Sequence, residues 1–463
     1  MSRPAANRPV LNRLVVVSNR VAQPRETRAG GLAAAMRAAL KEHGGLWFGW
    51  SGKRVAPNER ALHRERAGNI DYALLDLTRE EFETYYLGFA NRTLWPLLHF
   101  QPTMMQYSRA QYAGYREVNK LFAEKLAPLL REDDRIWIHD YHLIPLASEL
   151  RALGIGARIG FFLHIPLPPP ELLINLPCHA DLIATLSACD LIGVQNRDDA
   201  RALTHYFLRV LGAERSGDAV LLGERHTRIA AFPISIDTAE VVRKSKAAAN
   251  TTTIRNLHAS LSGRALAIGV DRLDYSKGLP RRFDAFGRFL AEYPEWRSRV
   301  SFLQIAPPSR EEVPEYRELR SQLERSAGAT NGRYAEPDWV PIRYVNRSFA
   351  QRTLAGFYRI ADLALVTPLR DGMNLVAKEF IAAQPADDPG VLVLSRFAGA
   401  AGELPQALLV NPYDPEGLVE AIEQGLTMPL EERRERWAAM FEHLSRHDIA
   451  AWRRNFLTRL DNP

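Results

Sequence analysis

The residues best able to do chemistry lie where short apolar runs give way to polar turns. Val366-Thr367-Pro368-Leu369-Arg370-Asp371-Gly372-Met373-Asn374 leaves such a run, breaks at Pro368, Asp371 and Gly372, and resumes with helical composition up to Ala383. A strand, a tight turn and a helix start make a place for a diphosphate. The unpaired N–H groups of the first helical turn, and the positive end of the helix dipole, face whatever sits in the turn. Asp371 in the turn and Glu379 within the helix can accept hydrogen bonds from sugar hydroxyls on either side of it. An ordinary strand-to-helix turn would show the same pattern, with Asp371 in a local bond and Glu379 on a solvated face. A second junction, Val270-Asp271-Arg272-Leu273-Asp274-Tyr275-Ser276-Lys277-Gly278, adds two cations. Arg272 and Lys277 can share the charge of a departing nucleoside diphosphate, or form ion pairs with Asp271 and Asp274. Arg310 follows a third apolar run and Arg20 a fourth. If both face one ligand, their guanidinium groups can clamp a phosphate.

Further candidates are less specific. Gly30-Gly31 would let a phosphate approach a helix N-terminus, although a tight turn explains paired glycines as well. Trp47, Phe48 and Trp50, with Tyr85, Tyr86 and Trp95, form two aromatic clusters suited either to pyranose faces or to a core. Asp140, after Ile136–His139, and His164, after Ile159–Leu163, stand at predicted strand ends, where open α/β sheets bind ligands. His139 and His142 have no third partner at metal-ligand spacing, so no metal site is expected.

These junctions need parallel strands to align them, and the sequence supplies strand alternating with helix throughout. Strands are predicted at Leu14–Val17, Ile136–His139, Ile159–Leu163, Leu191–Val194 and Ile229–Phe232. A second series covers Ala265–Val270, Ser301–Ile305, Ile342–Val345, Leu363–Val366, Val391–Leu394 and Leu408–Val410. That alternation predicts α/β doubly wound sheets. A chain of 463 residues exceeds one ordinary core, and the polar stretch 237–262 reads as an exposed helix and linker between two domains. The pattern GxGxxG is absent, which argues against a dinucleotide enzyme. A net charge of +6 is spread along the chain without a nucleic-acid motif, so no nucleic-acid partner is expected. No apolar run reaches membrane-spanning length and only two cysteines occur, so the expected location is cytoplasmic and away from membranes.

Taken together, Ser18-Asn19-Arg20, Gly30-Gly31-Leu32, Trp47-Phe48-Gly49-Trp50-Ser51-Gly52, His139-Asp140-Tyr141-His142, His164-Ile165-Pro166, the 272–278 junction and Arg370 to Glu379 resemble the trehalose-6-phosphate synthases. The likeness runs through nearly the whole chain. It implies the GT-B fold: two Rossmann-like domains with parallel sheets facing a cleft, and a C-terminal helix crossing back. The expected divisions are an acceptor-binding domain at 1–245, rejoined by 447–463, and a nucleotide-sugar domain at 246–446. The resemblance implies a retaining glucosyltransferase that moves glucose from UDP-glucose to glucose 6-phosphate, giving α,α-trehalose 6-phosphate with no metal and no cofactor.

By motif position, Arg20, Trp50, Tyr86, Trp95, Asp140 and Arg310 would hold glucose 6-phosphate. Gly30, Gly31, His164, Arg272, Lys277, Phe349, Asp371, Met373, Asn374, Leu375, Val376, Ala377, Lys378 and Glu379 would hold the donor. Catalysis would fall to Asp140, His164, Arg272, Lys277, Asp371 and Glu379. Pro168-Pro169-Pro170 and Ser235 depart from the commoner forms, in loops where little effect is expected. A homo-oligomer, dimer or tetramer, is also expected. The competing readings are a related transferase with another phosphorylated acceptor, as in glucosylglycerol phosphate synthesis, and a non-catalytic sugar-phosphate sensor. The intact set Arg272, Lys277, Asp371 and Glu379 argues against the sensor.

Overall fold

The protein's structure, a computed structural model, describes residues 13–22, 31–309 and 313–462. It divides into two units, Met1–Phe232 with Arg453–Pro463, and Pro233–Trp452.

The second unit is the simpler. Among its described residues, six strands, all parallel, lie in the order Ile342–Val345, Val300–Ile305, Ala265–Val270, Leu363–Val366, Val391–Ser395 and Leu408–Val410. The four inner strands are buried at nearly every residue, as expected when helices cover both faces of a parallel sheet. Counted in chain order, the strands run 3-2-1-4-5-6, and connections reverse direction between Ala265–Val270 and Leu363–Val366. That reversal is where doubly wound sheets bind ligands, beyond the strand C-termini.

Among the described residues the first unit holds ten strands. Its six central parallel strands repeat the same order: Ile70–Thr78, Gly45–Val55, Leu14–Arg20, Arg135–His139, Arg158–Phe162 and Leu191–Val194. Here the reversal lies between Leu14–Arg20 and Arg135–His139. Arg225–Ala231 extends the parallel set, and antiparallel partners Leu62–Ala67 and Ala219–Leu222 lengthen the sheet at its two ends. The sequence pattern misses Gly45–Val55, Leu62–Ala67 and Ile70–Thr78. Leu62–Ala67 is almost wholly polar and mostly exposed, so it carries no apolar signal. Phe82–Leu94 winds as a π-helix, a wider coil often found beside functional sites.

The expected domain division at 245/246 falls inside a helix, Thr238–Ala248, that belongs to the second unit. The stretch read as a linker forms two helices, Thr238–Ala248 and Thr252–Leu261, of which the first packs on the helices Gln351–Arg359 and Leu375–Ala383. Thr238 Oγ1 donates to the Leu444 carbonyl at 2.9 Å, and the Ile449 amide to the Ile236 carbonyl at 2.9 Å, so the chain up to Trp452 also stays with this unit. The return occurs within the last helix, Ile449–Asp461, later than the expected residue 447. Phe456 stacks on Trp137 at 4.6 Å and lies against Gly160 and Gly193. A Cβ at either glycine would come within 2.8 Å and 2.7 Å of the Phe456 ring, so the two strands need glycine there for the helix to seat.

Candidate active site

In the second unit the candidate donor residues gather at the strand reversal. Strand Ala265–Val270 runs into Asp271, and a short turn carries Lys277 back over the sheet edge. Lys277 Nζ meets Asp371 Oδ2 at 2.5 Å, joining the two junctions that the sequence singled out. The turn is held from beneath. Gly278 adopts φ +67°, and a Cβ there would come within 2.5 Å of the Thr367 carbonyl, so only glycine lets the loops approach this closely. The Leu369 amide donates to the Ser276 carbonyl at 2.8 Å. Asp274 accepts the Ser276 amide at 2.9 Å and the Tyr316 hydroxyl at 3.0 Å. Arg272 follows Asp271 and is exposed.

Arg282 was not anticipated. Its side chain is 1% exposed, and its guanidinium donates to Asp271 Oδ2 at 2.6 Å, Gln304 Oε1 at 2.9 Å and Thr367 Oγ1 at 3.0 Å. It therefore ties together the ends of three neighbouring strands. Burial pushes the Asp271 carboxyl above its usual range, and Arg282 and Lys277 counter that. The sequence signal was an arginine interrupting the apolar stripe Leu279, Phe283, Phe286 and Phe289.

The helix after Asp371 runs Leu375–Ala383. Asn374, at φ +81°, caps it, accepting the Ala377 amide at 3.3 Å and donating to Asp371 Oδ2 at 3.1 Å. Asp371 is thus fixed by Lys277 and Asn374 at the positive end of the helix. Met373 and Ala377 are buried beneath this turn, Leu375 and Val376 are half-buried, and the Met373 carbonyl accepts the Ala400 amide at 2.8 Å. Phe349 follows the edge strand Ile342–Val345, half-buried, with its ring edge-on to Phe357. Lys378 turns away from Asp371: it is fully buried, with Nζ on Glu403 Oε2 at 2.5 Å and on the Ile234 carbonyl at 2.7 Å. Its side chain is engaged within the protein rather than presented to a donor.

Glu379 is half-buried, and desolvation raises its carboxyl to about 7, with Lys244 and Tyr358 opposing the rise. The folded protein therefore holds this proton more tightly than the unfolded chain does. Stability falls as pH climbs from about 4.5 through 7, and the destabilisation is complete above that. Glu379→Gln should accordingly gain about 1–3 kcal/mol over wild type between pH 5 and pH 8. Thermal melts of both proteins across that window check this; a constant difference in melting temperature would contradict it.

In the first unit, the residues expected to hold the acceptor surround the other reversal. Arg20 ends its strand opposite Trp50, after a register shift at Ser18. Its guanidinium lies over Gly52, whose Cβ position would sit 3.1–3.2 Å from the Arg20 side-chain atoms. Trp50, anchored by its Nε1 donating to the Lys53 carbonyl at 2.8 Å, meets Phe82 and Tyr86 at ring distances of 5.4 Å and 5.8 Å. Tyr86 stacks on His142 at 5.7 Å and 10°. Other members of the two aromatic clusters are core: Trp47, Phe48 and Tyr85 are buried. Trp95 is also buried, packed on His99 and Tyr141.

Asp140 stands across the reversal from Arg20 in a backbone conformation that side chains rarely take, φ 78° and ψ 165°. Its carboxylate accepts the His164 amide at 3.2 Å. Burial lowers the His164 imidazole to about 3, so it is neutral. Among the described residues no His, Cys, Asp and Glu cluster forms a metal site. Gly30 and Arg310 lie outside the described residues; Gly31 opens the helix Gly31–His43.

Residues 7–462 match the model of Glycosyltransferase family 20. A trehalose-6-phosphate synthase from Sinorhizobium fredii is 50% identical over 460 residues, covering 97% of this chain and 98% of its own. An α,α-trehalose-phosphate synthase (UDP-forming) from Burkholderia xenovorans, solved in complex with glucose-6-phosphate, superposes with a TM-score of 0.95 at 46% identity, over 97% of this chain and 100% of its own. A trehalose-6-phosphate protein from E. coli, bound with UDP-2-fluoro glucose, gives 0.94 at 44% identity, over 97% and 99%. The two parallel-sheet units are those of the GT-B fold. With a family model spanning nearly the whole chain and relatives similar along their full length, the chain belongs to glycosyltransferase family 20.

Proposed function

We propose that the chain is a retaining glucosyltransferase that joins glucose from UDP-glucose to glucose 6-phosphate, forming α,α-trehalose 6-phosphate. The observation that carries this reading is the Lys277–Asp371 pair at the strand reversal of the second unit, set at the capped start of the helix Leu375–Ala383. The first turn of that helix offers amide donors to a diphosphate, and Lys277 and Arg272 add fixed positive charge. Asp371 would orient the donor glucose and Glu379 the ribose. The ribose hydroxyls donate best to an ionised Glu379, so nucleotide binding should tighten as pH rises through about 7.

Asp371 is already paired with Lys277 and Asn374, which suits orientation better than nucleophilic attack. A front-face route follows. The diphosphate leaves, an oxocarbenium-like centre forms, and the acceptor hydroxyl enters from the leaving-group side, losing its proton to a donor phosphate oxygen. His164 would contact the donor sugar. Arg20, Trp50, Tyr86 and Asp140 would hold glucose 6-phosphate, with Arg310 as the second phosphate ligand and Trp95 supporting the ring wall. Lys277 and Arg272 would take the part that a divalent ion plays at other diphosphate sites. Activity should therefore survive EDTA; complete loss, restored by Mg²⁺ or Mn²⁺, would contradict this.

No described helix is long and apolar enough to cross a membrane. Cys178 and Cys189 are both buried and unpaired, which suits the reducing cytoplasm. The test of the function is to incubate the purified protein with UDP-glucose and, separately, glucose 6-phosphate, glucose and glycerol 3-phosphate, then weigh the products. A disaccharide phosphate from glucose 6-phosphate alone is expected. A glucosylglycerol phosphate, or no product, would overturn the reading.

A further inference from the structure

His139 ends the strand Arg135–His139 opposite Phe162, and His164 stands two residues past the end of that neighbouring strand. The two imidazoles meet edge to edge, His139 Nδ1 to His164 Nε2 at 3.0 Å, with ring centres 5.2 Å apart. His139 is 1% exposed and packed against the rings of Trp137 and Phe162, at 4.6 Å and 6.4 Å. Its other nitrogen, Nε2, is buried and has no hydrogen-bond partner among the described residues. Burial holds both rings neutral, with His164 adding to the effect on His139.

Two neutral imidazoles that share one hydrogen bond cannot both donate. Were His164 the donor, His139 would carry its proton on Nε2, leaving a buried N–H with no acceptor. Were His139 the donor, Nε2 would be a bare lone pair among aromatic rings, and no N–H would be stranded. Orphaned buried N–H groups are the rarer of the two in folded proteins. We infer that His139 is a positioning residue: its Nδ1–H donates to His164 Nε2, fixes the His164 ring, and confines the His164 proton to Nδ1. His164 then meets its ligand as an Nδ1–H donor, suited to a sugar hydroxyl oxygen. A metal-ligand role for His139 is unnecessary; its nitrogen is already committed. The part that concerns turnover rests on the function proposed above, whereas the tautomer does not.

The test uses the full-length protein labelled with ¹⁵N-histidine, with His164→Gln to assign the signal. Long-range ¹H–¹⁵N correlation on the ligand-free wild type should show His164 as the neutral Nδ1–H tautomer from pH 6 to pH 8. His139→Phe, which fills the site without donating, should leave His164 as a tautomer mixture and lower kcat about ten- to a hundredfold, with little change in the KM for glucose 6-phosphate. His139→Asn, whose amide can place a donor near the Nδ1 position, should restore the single tautomer and most of kcat. An Nε2–H tautomer in wild type overturns the inference, as does an Asn variant no better than Phe in tautomer and kcat. If His139→Phe does not fold, the wild-type tautomer and the Asn variant still decide. If wild type makes no product from UDP-glucose and glucose 6-phosphate, the functional reading falls, and the tautomer measurement stands apart from it.

Discussion

Lys277→Ala should lower turnover about a hundred- to a thousandfold while leaving glucose 6-phosphate binding nearly unchanged. Charge grows on the donor diphosphate as its bond to glucose breaks, so a fixed ammonium beside it is worth more in the transition state than in the ground state. Losing one such contact typically costs about 3–4 kcal/mol of barrier. The structure adds a second consequence. Lys277 and Asp371 are both largely shielded from solvent and joined at 2.5 Å, so the variant also strips Asp371 of its ammonium partner and leaves it the bond from Asn374. The donor glucose would lose orientation as well as charge stabilisation. Steady-state kinetics with both substrates varied, and calorimetric titration of glucose 6-phosphate, check this. Equal turnover in wild type and variant would remove Lys277 from the mechanism.

The second large effect is expected at Asp140, where Asp140→Gly should lose activity without losing stability. A non-glycine residue at φ 78° and ψ 165° is strained by about 1–3 kcal/mol. Asp140→Gly relieves that strain at a cost of about 0.5–1 kcal/mol in chain entropy. It should therefore melt at or above the wild-type temperature, although the bond from the His164 amide is lost. Asp140→Ala keeps the strain and loses the same carboxylate, so it should be the less stable of the two, the reverse of the usual order of Ala and Gly. Both variants should lose about a hundredfold or more in kcat/KM for glucose 6-phosphate, if the carboxylate holds two acceptor hydroxyls at about 1.5–3 kcal/mol each. An Ala variant as stable as the Gly variant would show that the backbone there is relaxed.

The sequence made the second unit legible because its strands are buried on both faces and announce themselves as continuous apolar runs bounded by Asp271, Asp371 and Gly372. The motifs at Arg272 to Gly278 and Arg370 to Glu379 could be placed at strand ends for the same reason. What it hid was long-range. Nothing local shows that Arg282 reaches Asp271, Gln304 and Thr367, or that Lys378 turns to Glu403 instead of the donor side. Leu62–Ala67 stayed invisible because an edge strand can be polar on both faces. The stretch 237–262 misled because its helices bury few large side chains, yet packing against Gln351–Arg359 and Leu375–Ala383 assigns Thr238–Ala248 to the second unit. Trp47 and Trp50 look alike in sequence. Period-two alternation along Gly45–Val55 turns them to different surroundings: Trp47 donates to Ser18 within the core, and Trp50 joins Tyr86.

The central claim is that the second unit activates a nucleotide-glucose and that glucose arrives on glucose 6-phosphate with its anomeric configuration kept. The direct measurement is NMR of the product formed from UDP-glucose carrying ¹³C at the anomeric carbon and unlabelled glucose 6-phosphate. A labelled α-anomeric carbon joined to the anomeric carbon of the acceptor, in a single disaccharide phosphate, is the predicted result. A β-linked product, a linkage to any other acceptor position, or label recovered only as free glucose would contradict it.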